Sequence, residues 1–301
     1  MRFSHGLAVL LAAWPSVALA QQTTTVPDPV EPAPPVPQVE AAPQAAAPVW
    51  VAGLSGGVLD RDNGKDAPYA TLSLTRYQGS TYIRGAFTAY RGTLQQLDAA
   101  LPSHYYIASL GAGGNFRNWV VDAYASYGRQ DYGPIETAIG KRPSEAGSGS
   151  DYFAAGLRGG RIFTIAPKLY ATPTLGVQYV ATKSLRTAFA FGEPVDFETK
   201  ERAWAGTANF RLDRAFGREQ QHFVGLAYTH HESNNGLTSL RFASGSATLV
   251  GDPAPDGWEE IGASATIGLS RRLWLDGQLS RTLGAVSGDS TTVTVGLRWR
   301  L

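Results

Sequence analysis

The densest group of residues that could perform catalysis or bind a metal is the run His230-His231-Glu232, followed later in the chain by Glu259 and Glu260. Histidine beside carboxylates is typical of general acid–base catalysis and of metal sites. The surrounding residues alternate as in a β-strand, however, and successive strand side chains point to opposite faces. His230 and His231 therefore cannot chelate one ion, and we expect no metal site. One of them could serve a hydrolase at the rim of a sheet, or each could be a polar rim residue without catalytic function.

Ser55 is a second, weaker catalytic candidate. It lies in the segment GLSGG at residues 53–57, which matches the G-x-S-x-G pattern of hydrolase nucleophiles. That motif requires a sharp turn from a strand into a helix. Here the segment lies inside a predicted strand with no helix after it, so we expect Ser55 to be structural. The chain has no cysteine, which excludes thiolate chemistry, and we expect no cofactor.

The charge composition excludes one broad class of function. The chain has 26 basic and 25 acidic residues, and the basic ones do not cluster in the sequence. Binding to nucleic acid needs concentrated positive charge to displace counterions from the phosphates. We therefore expect no nucleic-acid partner.

The elements that position these residues are predicted to be strands throughout. From residue 49 onward, runs of alternating polar and apolar residues are separated by turn-rich gaps. We predict twelve strands, an even number, as single-chain bacterial barrels have. They span residues 49–59, 68–78, 81–92, 104–116, 119–130, 151–163, 169–182, 200–213, 221–232, 258–270, 273–283 and 290–301.

The predicted connections alternate in length almost throughout. Tight ones such as residues 79–80, 117–118 and 271–272 are interleaved with long ones such as 93–103 and 183–199. A transmembrane barrel shows this pattern, because short turns lie at one rim and long loops at the other. The predicted strands are also long enough to supply the roughly 9 to 11 residues that cross a bilayer at a tilt. We therefore predict an antiparallel up-and-down barrel that spans a membrane.

If the apolar faces of the strands point to lipid, several charged residues point into the lumen. We expect Asp276 and Arg298, on neighbouring strands, to pair there. These inward charges could select solutes in a pore, or they could form ion pairs that brace a narrow lumen. The predicted lumen-lining residues are Arg84, Asp122, Arg158, Arg211, Asp276, Arg298 and Arg300.

Two segments precede the predicted barrel domain at residues 49–301. Residues 1–20 have the basic start, short apolar run and small residues before position 21 that are typical of a secretory signal peptide. Residues 21–48 contain eight prolines and few large apolar residues. This composition predicts an extended, disordered tether.

Several motifs of residues 49–301 resemble the β-domain of classical autotransporters. They are DAYASYGR at residues 122–129, TPTLGVQY at 172–179, WEEIG at 258–262 and the closing VGLRWRL at 295–301. The resemblance implies a twelve-stranded barrel that the cell's barrel-assembly machinery inserts after recognising the last strand. The residues expected to form that insertion signal are Val293, Val295, Leu297, Trp299 and Leu301. Because only residues 21–48 lie between the signal peptide and the barrel, we expect no substantial passenger.

These observations lead to a main hypothesis and two alternatives. The main one is a non-enzymatic barrel in the bacterial outer membrane with a structural, surface-interaction or narrow-pore role. The alternatives are a pore or accessory barrel for export of a surface polymer or small solutes, and a hydrolase using the His230/His231 rim. We expect both termini in the periplasm, and outer-membrane lipids, lipopolysaccharide and the assembly machinery as partners.

Overall fold

A computed structural model describes residues 48–62, 65–95, 99–145, 147–190, 193–217, 222–234, 236–242, 248–249, 256–285 and 289–301. The predicted signal peptide and all but the last residue of the predicted tether lie outside these residues. No helix in the described part of the chain is long and apolar enough to cross a membrane.

Seventeen strands make up the described structure, and twelve of them form the barrel. The barrel strands are β1 (Val49–Arg61), β2 (Ala67–Gln78), β3 (Thr81–Gln95), β4 (Ala99–Phe116), β5 (Trp119–Tyr132), β8 (Gly149–Arg161), β10 (Leu169–Ala190), β11 (Glu193–Phe216), β12 (His222–Ser233), β15 (Asp256–Gly268), β16 (Leu273–Leu283) and β17 (Ser290–Arg300). The shorter strands are β6 (Ile135–Thr137), β7 (Gly140–Arg142), β9 (Phe163–Ala166), β13 (Gly236–Phe242) and β14 (Thr248–Leu249).

Each barrel strand pairs antiparallel with its neighbours in chain order, and the last strand pairs with the first. The closing ladder between β1 and β17 runs from Val51 opposite Arg300 to Arg61 opposite Ser290. The closed order of the twelve strands gives each one a neighbour on both sides, so its backbone groups can pair as a lipid environment requires. The prediction of twelve antiparallel strands in a closed barrel is confirmed.

The two rims of the barrel differ as the loop lengths predict. The terminal rim, at which β1 begins and β17 ends, has tight turns such as Arg117-Asn118, where both residues have positive φ of 54° and 70°. Two successive positive φ values define the turn type that matches the twist of a hairpin. The opposite rim, called here the loop rim, carries the short strands β6, β7, β13 and β14.

Two connections that the sequence predicts as long loops are largely strand. Residues 93–103 and 183–199 instead extend the β3–β4 and β10–β11 hairpins, which pair out to Gln95 opposite Ala100 and Ala190 opposite Glu193. The prediction was wrong because it ended each strand at the length that hydrocarbon requires. Backbone pairing continues in these hairpins beyond that length.

The outer surface of the barrel carries an apolar band between two aromatic girdles. On β5, Trp119 and Tyr127 mark the two girdles, and the outward-facing residues beyond Tyr127 are Arg129 and Asp131. The stretch from Trp119 to Tyr127 contains nine residues. That number falls within the roughly 9 to 11 residues that a tilted strand needs to cross a bilayer.

The extended β10–β11 hairpin crosses the mouth of the barrel at the loop rim. Leu185 continues the outward-facing side of β10, yet it is fully buried in a cluster with Leu101, and Tyr132 packs on that cluster. Leu101 and Tyr132 belong to the lumen-facing sides of β4 and β5. An outward surface of one strand can pack on an inward surface of others only if the hairpin leans across the opening.

Candidate functional site

The lumen half nearest the terminal rim contains ion pairs that join neighbouring strands. Arg298 donates to Asp276 from Nη2 at 2.7 Å and from Nε at 2.5 Å, and Thr266 donates to the same carboxylate at 2.7 Å. Because β15, β16 and β17 each supply one member, the cluster links three consecutive strands. Charged hydrogen bonds of this kind rigidify a wall from which water is partly excluded.

A second cluster lies on β11 and β15. Arg211 Nε donates to both oxygens of the fully buried Asp213, at 2.8 and 2.9 Å, and its Nη2 donates to Ser264 at 3.1 Å. A buried carboxylate is tolerated only when it is paired and hydrogen-bonded, and Arg211 meets that need. The arginine is thereby held against the wall.

A third cluster joins β3, β5 and β8. Arg158 Nε lies 3.9 Å from Asp122 Oδ1, and the hydroxyl of Tyr82 donates to the same carboxylate. Arg84 is buried and lies on the same cavity wall. All three clusters pair their charges within the wall, which is the geometry of a braced lumen.

The structure thus assigns a place to each predicted lumen residue. Five of them line a lumen cavity of about 280 Å³, and serine, threonine, asparagine and glutamine make up half of its other lining residues. Arg298 forms an ion pair with the cavity residue Asp276, and Arg300 is exposed at the terminal rim. The five cavity residues are Arg84, Asp122, Arg158, Arg211 and Asp276. Their role in selecting solutes stays a prediction.

The two adjacent histidines lie on opposite faces of β12. His230 faces outward at the loop rim, just beyond the girdle residue Tyr228, and its Nδ1 lies 2.7 Å from Glu259 Oε1. Glu232 lies 3.2 Å from its Nε2. The hydrogen bond with Glu259 is the main cause that raises the pKa of His230. This arrangement is an exposed histidine–carboxylate hydrogen bond beyond the aromatic girdle.

His231 faces the lumen and is stacked on a buried tryptophan. The ring centroids of His231 and Trp258 are 4.7 Å apart with an interplanar angle of 4°. Nε2 of His231 lies 3.5 Å from Glu260 Oε2, and Glu260 in turn bonds to Ser280. In a nucleophilic triad the histidine lies between the hydroxyl and the carboxylate. Here the carboxylate occupies the middle position, so the histidine is not placed between Ser280 and Glu260 as a triad requires.

The remaining catalytic candidate lies apart from the histidines. Ser55 is in β1, opposite Thr71 on one side and Gly296 on the other. Strands β15, β16 and β17 separate β1 from the histidine strand β12. Within the described residues, no group of three or more histidine or acidic side chains has a geometry that could hold a metal ion.

A buried ion pair at the loop rim between Arg142 and Asp196, called here the latch, was not predicted from the sequence. Asp196, at the end of the β10–β11 hairpin, is fully buried and accepts two bonds from Arg142 of β7, from Nη2 at 2.6 Å and Nη1 at 2.9 Å. Thr187 Oγ1 and the backbone N–H of Glu145 each donate to it at 2.8 Å. The available signal was the polar and apolar alternation of residues 194–200, which indicates a strand. That alternation does not reveal that Arg142 is the partner of Asp196.

A closed antiparallel barrel with an apolar outer band between aromatic girdles defines the class of outer-membrane β-barrels. A family model described as the autotransporter beta-domain matches residues 72–280. The chain belongs to the autotransporter β-domain family. The predicted resemblance and the prediction of an outer-membrane barrel of autotransporter type are confirmed.

Solved structures agree with this assignment at the level of the fold. The translocator domain of autotransporter NalP from Neisseria meningitidis is 14% identical, with a TM-score of 0.57 over 86% of this chain and 90% of that one. The β-domain of the Bordetella autotransporter BrkA is 17% identical, with a TM-score of 0.55 over 84% and 99%. An outer-membrane channel from Pseudomonas putida F1 is 9% identical, with a TM-score of 0.53 over 88% and 100%. No curated protein sequence matches the chain.

Proposed function

We propose that this protein is a structural and surface-interaction barrel without enzymatic activity, oriented with both termini in the periplasm. The observation that carries the proposal is the β10–β11 hairpin, which leans across the mouth of the barrel and is held there by the Arg142–Asp196 latch. A barrel that conducts solutes freely needs an open mouth. A barrel that presents a rigid surface to the exterior benefits from a mouth crossed by packed strands.

The orientation is testable with single cysteines, because the natural chain has none. Ala138 lies in the exposed β6–β7 turn at the loop rim, and Ser270 lies in an exposed turn at the terminal rim. A membrane-impermeant maleimide added to intact cells is expected to label Ala138→Cys and not Ser270→Cys. Both should be labelled in broken cells. Labelling of Ser270→Cys alone in intact cells would show the reverse orientation.

The geometry around His231 and Ser280 supports a barrel without enzymatic activity. Ser280 bonds to Glu260, which in turn lies against His231, and this is not the order of a nucleophilic triad. We expect purified folded barrel and its His231→Ala variant to release no fatty acid from phospholipid or lipopolysaccharide. Release that His231→Ala abolishes, while His230→Ala retains it, would establish the hydrolase alternative instead.

A narrow pore is the second candidate, and the cavity of about 280 Å³ is the observation that favours it. The cavity wall carries paired charges and hydroxyl groups that water and small polar solutes can contact. Conductance in planar bilayers that disappears when Arg298 and Arg300 are neutralised would support this role. Conductance that is absent in the unaltered protein would leave the structural role.

Assembly is proposed to depend on the last strand and the cellular assembly machinery. Val293, Val295, Leu297 and Trp299 all face outward from β17 and are exposed to the lipid band. Trp299→Ala is expected to reduce the amount of heat-modifiable barrel in the outer membrane, whereas Thr291→Ala, on the outward face near the opposite end of the same strand, should not. Equal assembly of both variants would remove Trp299 from the signal.

A further inference from the structure

The terminal rim carries a ring of exposed basic side chains, on outward-facing strand ends or in turns. They come from the turns and strand ends of β2, β4, β5, β8, β9, β11 and β15, and so they surround much of the barrel. We call this ring the basic collar. Its members are Arg76, Arg117, Arg161, Lys168, Arg214, Arg271 and Arg272.

Among the residues that the structure describes, no exposed acidic side chain lies beside the collar. In the described part of the terminal rim, the acidic residues Asp122, Asp213 and Asp276 are all buried and directed into the lumen. Within those same residues, none of the seven collar cations forms an ion pair. Like charges spaced around one rim repel each other, so the collar is more stable when anions from outside the chain lie against it.

The loop rim is arranged in the opposite way. Its exposed face mixes acids with cations: Arg129 lies 2.8 Å from Asp131, and Arg281 lies 3.2 Å from Asp62. Asp60, Asp66 and Asp151 are exposed at the same rim. Among the described residues, the terminal rim therefore carries exposed cations without exposed acids beside them, whereas the loop rim carries both.

The position of the collar relative to the apolar band identifies the partner. The Arg76 guanidinium lies 5.9 Å from the ring centroid of Trp50, and that of Arg161 lies 5.5 Å from the ring of Trp119. Aromatic girdles sit at the level of the lipid headgroups, and arginine extends its charged end from the apolar surface toward the interface. The collar is thus continuous with the lipid-facing surface, at the depth of the phosphates.

We propose that the basic collar binds anionic phospholipids, such as phosphatidylglycerol, in the leaflet that meets the terminal rim. Guanidinium groups bind phosphate oxygens through paired hydrogen bonds, and each additional cation near an anionic surface strengthens the attraction by about fivefold. The lipid preference follows from the lipid-facing surface alone. Naming the leaflet as the periplasmic one rests on the orientation in the proposed function.

The test compares spin-labelled phosphatidylglycerol with spin-labelled phosphatidylcholine around the folded barrel in phosphatidylcholine vesicles. Electron paramagnetic resonance gives the fraction of each lipid that the protein immobilises. We expect the protein to prefer phosphatidylglycerol at low salt and to lose part of that preference at high salt, because salt screens exposed charges.

The collar variant removes three cations from exposed turns: Arg117→Asn, which keeps a residue that tolerates positive φ, together with Arg271→Ser and Arg272→Ser. We expect its preference to fall by at least about threefold. The matched control, Arg129→Ser with Arg281→Ser, removes loop-rim cations that are already paired and should keep the preference. Gel mobility of unheated samples checks that each variant is folded.

Three results would overturn the proposal. The first is equal immobilisation of both lipids by the unaltered barrel, and the second is a collar variant whose preference equals that of the unaltered protein. A control variant that loses as much preference as the collar variant would assign the effect to the loop rim and also contradict the proposal. Reversed cysteine labelling would contradict the orientation alone, with the lipid preference intact.

Discussion

Arg142→Ala is expected to release the β10–β11 hairpin from the mouth of the barrel. Asp196 is fully buried, and two of its four hydrogen bonds come from Arg142. Without the arginine, the carboxylate keeps only the Thr187 hydroxyl and the backbone N–H of Glu145. A buried charge is left without its counter-charge, and the hairpin can relieve this by moving into water.

The size of the effect follows from the burial of Asp196. Removing one partner of a buried pair costs about 3 to 5 kcal/mol. The lower end applies because two neutral donors remain, which gives about 3 kcal/mol for the local opening of the hairpin. At 1.36 kcal/mol per factor of ten, the population of the open hairpin rises about 100-fold.

Hydrogen exchange measured by mass spectrometry reads this population directly. Amides in residues 183–200 should exchange about 100-fold faster in Arg142→Ala, while those in residues 119–127 of the barrel wall should not change. Lys141→Ala is the control, since its ion pair with Glu136 is on the surface. Arg142→Met with Asp196→Leu should restore most of the protection, because no charge is then left buried. Unchanged exchange of residues 183–200 in Arg142→Ala would refute the latch.

The latch should also be insensitive to pH near neutrality. Burial raises the pKa of Asp196, but the hydrogen bonds from Arg142, Glu145 and Thr187 outweigh it and hold the pKa below its ordinary value of 3.8. A carboxyl group whose pKa is lower in the folded protein than in the unfolded chain stabilises the fold at pH values above its ordinary pKa. This stabilisation is lost as the pH falls through the lowered pKa. Exchange of residues 183–200, corrected for intrinsic rates, should therefore be constant between about pH 5 and 8.

Two further predictions concern the loop rim and the barrel wall. The hydrogen bond from Glu259 raises the pKa of His230. The pair therefore stabilises the rim fully at pH values below the ordinary histidine pKa, and this stabilisation is lost as the pH rises through the raised pKa. Glu259→Gln should lower the His230 pKa measured by NMR titration, and an unchanged pKa would contradict the pairing. Gly57→Ala would place its Cβ 2.0 Å from the carbonyl oxygen of Val293, and it should lower the free energy of unfolding in urea by about 1 to 3 kcal/mol. The control Gly85→Ala places its Cβ where no atom lies within 4 Å, and it should leave the stability unchanged. Equal urea midpoints for the two variants would show that the wall accommodates the methyl group at residue 57.

The barrel itself was predictable because lipid imposes the same rule on every strand. The closing strand β17 shows it plainly, with Val293, Val295 and Leu297 exposed outward and Thr294 buried inward. Alternation of this kind depends only on the two-residue period of a strand. The loop lengths and the even strand count followed from the same constraint, since both depend on crossing the membrane repeatedly.

The mouth of the barrel was not predictable, because its contacts lie outside the region that lipid constrains. Arg142 and Asp196 are 54 residues apart in sequence, and either could have faced water. Their pairing depends on how far the β10–β11 hairpin extends and in which direction it leans. The same holds for Trp258, whose stacking on His231 requires the register between β12 and β15.

Planar-bilayer recording of the purified barrel tests the central claim most directly. A barrel whose mouth is crossed by a latched hairpin should show no long-lived open conductance in its natural form, and Arg142→Ala should produce one. Stable open steps in the natural protein that Arg142→Ala leaves unchanged would show that the hairpin does not close the lumen, and would contradict the proposed structural role.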